Sequence, residues 1–341
     1  MRNWILFFIP FLSLGQKDSL QLEFGGFLDT YYSYDIDAPK GEQKLPFMYN
    51  YNRHNEFAVN LALLKAKITY KNCYASIALQ AGTYVMDNYA NENVKYLNEA
   101  YVGTYLDQAK KHNVEIGILP SYIGFESAAS LNNPTLTRSI LADNSPYFMT
   151  GIWYHYNPNS RWSIGMLVMN GWQRIQKPER SAAPALGTQV SYKPSSKHLL
   201  NWSSYAGKEQ YAAFSGMRWF ENFYWDAQWS PNWRTVLGVD WGIQNTPDGS
   251  KNWWSPIAIT QYQANSQWQM ALRLEYYSDP HQMIIATGQP FATWGSSVNA
   301  DYTLNKYFKY RIETRYFSAT EAVLNSTNSN LFFTTGLVLG F

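Results

Sequence analysis

Apolar and polar positions alternate along this chain from about residue 20 to its last residue. A period of two is that of a β-strand with two unlike faces. In the last segment Leu331, Phe333, Thr335, Leu337, Leu339 and Phe341 fall on one face, and Phe332, Thr334, Gly336, Val338 and Gly340 on the other. In Tyr307–Tyr316 the set Phe308, Tyr310, Ile312, Thr314 and Tyr316 alternates with Lys309, Arg311, Glu313 and Arg315. The pattern predicts sixteen strands, at about 20–34, 55–70, 73–84, 95–106, 113–119, 146–157, 161–172, 185–193, 198–207, 213–229, 233–244, 253–264, 267–277, 291–304, 307–317 and 330–341. Within 55–70 the apolar phase switches, which places a bulge near Leu63-Leu64.

The connections alternate in length. Those at 35–54, 85–94, 120–145, 173–184, 208–212, 245–252, 278–290 and 318–329 are read as long. Those between them are short, as at Lys71-Asn72, Asn265-Ser266 and Asn305-Lys306, and most carry the Asn or Pro that hairpin turns favour. Long loops at one end and tight turns at the other is the layout of an outer-membrane barrel, and an even strand count puts both termini at the periplasmic, short-turn end. The expected fold is therefore all-β: a transmembrane antiparallel up-and-down barrel of about 16 strands, within 14–18. Aromatic pairs flank the short turns: Tyr70 with Tyr74, Tyr156 with Trp162, Trp229 with Trp233, Tyr262 with Trp268, Tyr302 with Tyr307. Amphipathic rings at headgroup level would form a periplasmic girdle.

Composition sharpens this reading. Aromatic residues make up 17% of the 341 residues and charged residues only 15%, yet mean hydropathy is −0.37. Soluble domains carry roughly 25% charge. A chain poor in charge, rich in rings and polar on average suits a wall with one lipid face and one water face. A net charge of +2 excludes a nucleic-acid binder working by bulk charge. The single cysteine, Cys73, excludes an internal disulfide and a multi-cysteine metal site. Residues 1–15 read as a signal peptide: Arg2, the apolar stretch Trp4–Leu14, then the small residues Ser13 and Gly15. The expected mature chain, 16–341, is one barrel domain in the bacterial outer membrane.

By alternation the charges on strands fall on the inner face: Glu23, Asp29, Lys65, Lys67, Glu99, Glu115, Arg218, Asp226, Arg234, Asp240, Arg273, Glu275, Lys309, Arg311, Glu313 and Arg315. On the lipid face, each Arg or Lys at the bilayer midplane would cost about 2–4 kcal/mol. These residues are expected to line water, most as wall ion pairs and a few as the selective ring of a constriction. Connection 120–145, the longest, either folds inward or stays outside; inward, it would bring Glu126, Arg138 and Asp143 to the narrowest section. The expected pore-lining set is Glu99, Glu126, Arg138, Arg218, Arg234, Asp240, Arg273, Glu275, Lys309, Arg311, Glu313 and Arg315.

Two stretches carry a family resemblance. Ile123-Gly124-Phe125-Glu126-Ser127, after Glu115–Leu119, and Asn170-Gly171-Trp172, after an alternating strand, resemble elements of the OmpL-like β-barrel porins (porin-2 type) common in Bacteroidetes. Asn98-Glu99-Ala100-Tyr101-Val102 and Thr150-Gly151-Ile152 fit the same order. One departure is Gln173-Arg174-Ile175-Gln176, where the family often has acidic and Asn residues. The resemblance implies an outer-membrane porin. The strand ending in Phe341 resembles the last strand of outer-membrane barrels generally, which implies that Phe341 is the signal read by the barrel-assembly machinery.

Catalytic signatures are absent from the sequence: there is no Gly-x-Ser-x-Gly, His-Glu-x-x-His or Walker motif. No enzyme activity, metal or cofactor is expected. The leading expectation is passive diffusion of small hydrophilic solutes through a wet, mixed-charge lumen. The alternatives are a sugar-preferring porin, if Tyr31, Phe220, Tyr224 and Tyr277 line the lumen at one height, and a rim hydrolase built on His54 or on His281 with Asp279. Outer-membrane lipid is an expected partner, and a homotrimer is allowed, though no patch in the sequence shows it.

Overall fold

The computed structural model describes residues 19–41, 43–177, 183–211 and 214–341; the signal-peptide expectation for 1–15 lies outside them. The strands are β1 Gln21–Asp35, β2 Glu56–Tyr70, β3 Cys73–Ala81, β4 Leu97–Tyr105, β5 His112–Pro120, β6 Phe148–Asn159, β7 Trp162–Met169, β8 Ala185–Ser195, β9 His198–Tyr211, β10 Phe214–Gln228, β11 Trp233–Thr246, β12 Gly249–Gln263, β13 Trp268–Asp279, β14 Phe291–Thr303, β15 Phe308–Ala319 and β16 Ser329–Gly340. Each pairs antiparallel with its sequence neighbours, and β16 returns to β1, closing the barrel. Closure leaves no unpaired edge, which is what a sheet in lipid requires. Among the described residues the loops carry two short α-helices, α1 at Thr83–Asn88 and α2 at Ile140–Asp143, and a 3-10 turn at Ser130–Asn132.

The alternation fixes which way the wall faces. In β15 Tyr310, Ile312 and Tyr316 are exposed outward while Arg311, Glu313 and Arg315 are buried. Outward rings meet across the register near the tight turns: Trp162 stacks on Tyr192, Trp233 lies 4.7 Å from Tyr262, and Trp268 lies 4.9 Å from Tyr302. The turns share one device. The Asn305 side chain accepts from the N–H groups of Tyr307 and Phe308, and Asn265 does the same for Gln267 and Trp268. These are Asx turns, in which a short polar side chain replaces a missing backbone partner.

Three expectations are corrected. The connections read at 208–212 and 245–252 are not long, because β9 runs on to Tyr211 and the β11–β12 ladder continues to Thr246 opposite Gly249. Beyond the bilayer a ladder no longer needs apolar alternation, so its polar end looked like loop. The bulge lies at Asn60, not Leu63-Leu64: the register slips where Asp29 pairs with Leu61 and Thr30 with Val59. There the Asn60 side chain accepts the Tyr51 N–H at 2.9 Å and donates to Asn50 at 3.2 Å, which turns Leu61 inward. Tyr74 does not belong to the girdle. It points inward, where its hydroxyl donates to Glu115 at 2.8 Å.

The rule of charge inside has exceptions: Lys208 is exposed on the outer side at the end of β9, and Glu221 faces outward on β10. Glu221 lies between the exposed Trp219 and Phe223 on the outer face of β10, and the Trp202 indole donates to it at 2.6 Å.

Candidate functional site at the loop-filled lumen

The barrel interior is largely occupied by its own loops. The β5–β6 connection, residues 121–147, enters the lumen. Its path starts where the Tyr122 hydroxyl donates to the Ser204 carbonyl at 2.7 Å and the Gly124 N–H donates to Asn222 on β10 at 3.1 Å. Gly124 has φ +80°, a conformation that suits glycine and turns the chain off the wall. Phe125 packs against Tyr224, and the Glu126 carboxylate accepts from the Ser139 N–H at the start of α2.

The loop then crosses to β13–β15, where wall charges take its backbone. The N–H groups of Thr137 and Ile140 donate to Glu313 and Glu275, each at 2.6 Å. Arg273 donates to the Thr137 carbonyl at 2.9 Å, Arg315 to the Arg138 carbonyl at 2.6 Å, and Arg311 to those of Ser130 and Asn133 at 2.7 and 3.0 Å. The same side chains pair among themselves: Arg273 with Glu313 and Arg315 with Glu275 at 2.6 Å, and Arg311 with Asp301 at 2.7 Å. Irregular backbone can be buried only if its polar groups find partners. These charges supply them.

The twelve expected pore residues therefore separate by setting. Arg138, Arg273, Glu275, Arg311, Glu313 and Arg315 are at most 1% exposed. They do not line water as expected: Arg138 belongs to the loop and bonds its own backbone, and the five wall residues are covered by the loop and hold it. Asp240 is also buried, accepting from Asn222 at 2.6 Å, and Lys309 reaches the Leu131 carbonyl at 2.9 Å. Four stand on cavities. Glu99, paired with Lys65 at 2.7 Å, lines a cavity of about 400 Å³ together with Glu126. Arg218, held by Gln244 at 2.9 Å and lying over Trp172, lines a cavity of about 240 Å³ at the extracellular mouth. Arg234, clamped by Asp226 at 2.7 Å, lines one of about 690 Å³ at the periplasmic end with Arg161, Lys193 and Lys197. Ser145 borders both the mouth cavity and the 400 Å³ cavity.

The first loop also turns inward. Phe47 packs on Phe291 and Phe317, and buried Lys44 lies 3.9 Å over the Phe332 ring. Burial lowers the Lys44 ammonium to about 7, despite Asp35 nearby. Burial likewise raises the Asp143 carboxyl to about 6, against the Asn50 hydrogen bond and the charges of Arg315 and Arg138, and raises Glu126 against the charge of Arg273.

Tyr31, Phe220, Tyr224 and Tyr277 all face inward but are buried, the first three against loop residues Tyr51, Trp172 and Phe125, and Tyr277 against Phe291 of β14. Two of the three rim groups a hydrolase would use are engaged structurally, while His281 is exposed. His54 accepts the Asp35 N–H at 3.1 Å, and the Asp279 carboxylate accepts three backbone N–H groups, from Met283, Ile284 and Ile285, at 2.7–2.9 Å. The sequence reading missed the mouth residues Tyr49, Asn88 and Arg174. Trp172, in the Asn-Gly-Trp element, was the signal that pointed there.

Comparison places this architecture among known proteins. The family model described as "Putative beta-barrel porin-2, OmpL-like" matches residues 21–341. Among curated proteins none matches the chain. Solved structures share its fold. The anion-selective porin from Comamonas acidovorans is 9% identical, with TM-score 0.65, and the match covers 95% of this chain and 100% of that one. The outer membrane channel DcaP of Acinetobacter baumannii is 10% identical, with TM-score 0.66, covering 96% and 99%. The trimer form of OmpT from Vibrio cholerae is 9% identical, with TM-score 0.65, covering 95% and 100%.

Proposed function

The chain belongs to the OmpL-like β-barrel porin-2 family, an outer-membrane porin channel, and from that premise we propose how its lumen selects solutes. Small hydrophilic solutes enter at the mouth cavity, pass Ser145, and leave along the Lys65–Glu99 side of the barrel. That side carries the route because β13–β15 are sealed by the inward loop. The observation that carries the reading is the anchored 121–147 segment, which narrows the lumen while cavities remain beside it, one at the mouth and one along Lys65–Glu99. Passage is passive diffusion, limited in size by the loop and biased by the unsealed charges Glu99, Lys65 and Arg234.

No catalytic role is assigned, since His54 and Asp279 are both spent on backbone groups. Membrane lipid meets the outward rings, and the assembly machinery meets Phe341. We infer a homotrimer by analogy with the trimer form of the Vibrio cholerae neighbour.

Single-channel conductance of the refolded chain in a planar bilayer tests the reading. Stable steps that scale with salt are expected. Silence from a barrel that is folded and heat-modifiable would overturn it.

A further inference from the structure

The cavity of about 690 Å³ at the periplasmic end is one-sided in charge. Arg161, Lys193, Lys197 and Arg234 line it, and Asp226 is the single carboxylate among its lining residues. Asp226 is already taken: Nε and Nη2 of Arg234 donate to its two oxygens at 2.8 and 2.7 Å. Arg161, Lys193 and Lys197 are exposed, and their side chains have no hydrogen bond or ion pair among the described residues. Higher on the wall the pattern differs: Lys65 is matched by Glu99, Arg311 by Asp301 and Arg315 by Glu275. A cleft lined by one sign of charge concentrates counter-ions. Three unmatched cations on one cavity point to an anion from outside the chain.

The cluster faces the lumen rather than lipid. Lys193 shares its face of β8 with Ser191 and Gln189, whose side chains donate to the buried Asn201 at 2.6 and 3.2 Å. The Lys193 N–H donates to the Arg161 carbonyl at 2.8 Å, so these two side chains leave neighbouring strand ends. Lys197 stands in the turn that follows β8.

The chemistry narrows the anion. A guanidinium fork and compact ammonium groups are the cations that grip phosphate oxygens. Ser160 and Ser196 add hydroxyl donors. A lone chloride answers one cation at a time, whereas an anion with several charges answers all three. The volume falls within the roughly 300–1,000 Å³ of small-molecule sites. An inorganic phosphate would leave most of it to water; a sugar with a phosphate at each end spans it. The lining includes Pro194 and Leu199 but no Phe, Tyr or Trp ring, which favours a sugar over a nucleobase.

We propose that the periplasmic end of the lumen binds sugars carrying two phosphates, held by Arg161, Lys193 and Lys197. Its role as the last station on a permeation route rests on the channel reading; binding itself does not.

The test is equilibrium binding of fructose 1,6-bisphosphate to the folded full-length barrel in detergent, by calorimetry at low ionic strength, with conductance measured on the same preparation. Fructose and sodium sulfate serve as comparisons. The bisphosphate is expected to bind, and each comparison compound to bind at least roughly tenfold more weakly. Arg161→Gln, and Lys193→Gln combined with Lys197→Gln, should each weaken the bisphosphate, the pair by roughly tenfold. Lys110→Gln combined with Lys306→Gln, at other periplasmic turns, should leave it unchanged. Heat-modifiability confirms that each variant is folded. Equal weakening by this second pair would overturn the proposal, since charge spread over the rim would then do the binding. So would equal binding of fructose or sulfate, no bisphosphate binding to a conducting barrel, or unchanged binding in both folded site variants. Nanodiscs separate the two sources of phosphate. Binding kept in phosphatidylcholine but lost in phosphatidylglycerol would overturn the proposal by showing that a lipid headgroup takes the cavity. A barrel that binds the bisphosphate but never conducts would support the site and sink the channel reading instead.

Discussion

The backbone N–H of Thr137 donates to Oε2 of Glu313 at 2.6 Å, joining the middle of the lumen loop to strand β15. Glu313 also pairs with Arg273, which in turn holds the Thr137 carbonyl and hydroxyl. Removing one partner of a buried charge network costs about 3–5 kcal/mol, because the other charge is left desolvated and unpaired. Glu313→Ala should lower unfolding stability in detergent by about that amount and give larger, noisier conductance steps. Unchanged stability and conductance would mean the loop is held elsewhere.

Asp143 makes the loop's anchorage depend on pH. Its carboxyl, raised by burial to about 6 from 3.8, holds its proton more tightly folded than unfolded. The contribution to stability is therefore complete below the ordinary value and is lost as pH rises through about 6. After correction for intrinsic exchange, amides of residues 140–147 should be less protected at about pH 7.5 than at about pH 5. Asp143→Asn should erase the difference; if it persists in that variant, another group sets it.

Glu99 balances Lys65 on the open side of the lumen. Glu99→Gln leaves the ammonium unpaired beside the proposed route, and a charged lumen wall sets ion preference. The reversal potential in a potassium chloride gradient should move toward anion preference. A shift toward cations would place the route elsewhere.

Glu221 is a carboxylate on the outward wall, bonded to Trp202. Glu221→Gln keeps an acceptor for the indole and removes the charge that lipid solvates poorly. The thermal midpoint should rise in lipid micelles. A fall would show that something cationic covers this face.

Phe341 completes the seam: its N–H donates to the Gly26 carbonyl at 3.0 Å and its own carbonyl accepts from Gly26 at 3.1 Å. If the ring is read during assembly, Phe341→Ala should reduce the folded fraction in cells while refolding in detergent proceeds normally. Equal loss in both settings would make the residue structural only.

Much of the barrel was legible in the sequence, since a two-sided wall writes its alternation residue by residue. The inward phase of Arg311, Glu313 and Arg315 followed from their outward neighbours Tyr310, Ile312 and Tyr316. Their pairing as wall ions was expected too, and Arg273 with Glu313, Arg315 with Glu275 and Arg311 with Asp301 show it; that they also hold a loop's backbone was not legible. Facing inward is a local property, whereas being covered depends on a loop bonded from far away in the chain. The same holds for Asn60, whose bulge is set by the backbone of Tyr51 rather than by its own strand. At the mouth, Asn88 and Arg174 lie on different loops, and only the fold brings them to one cavity.

The loop's bonds also constrain the order in which the molecule can be made. Thr137 and Glu313 are separated by 176 positions, and Ile140 and Glu275 by 135. A segment emerging early must wait for strands that come much later, and contacts so remote in sequence form slowly. Its anchors lie on β13 and β15, which are made long after residues 121–147, so the strap can be fastened only in the last stage of assembly, as the barrel nears closure.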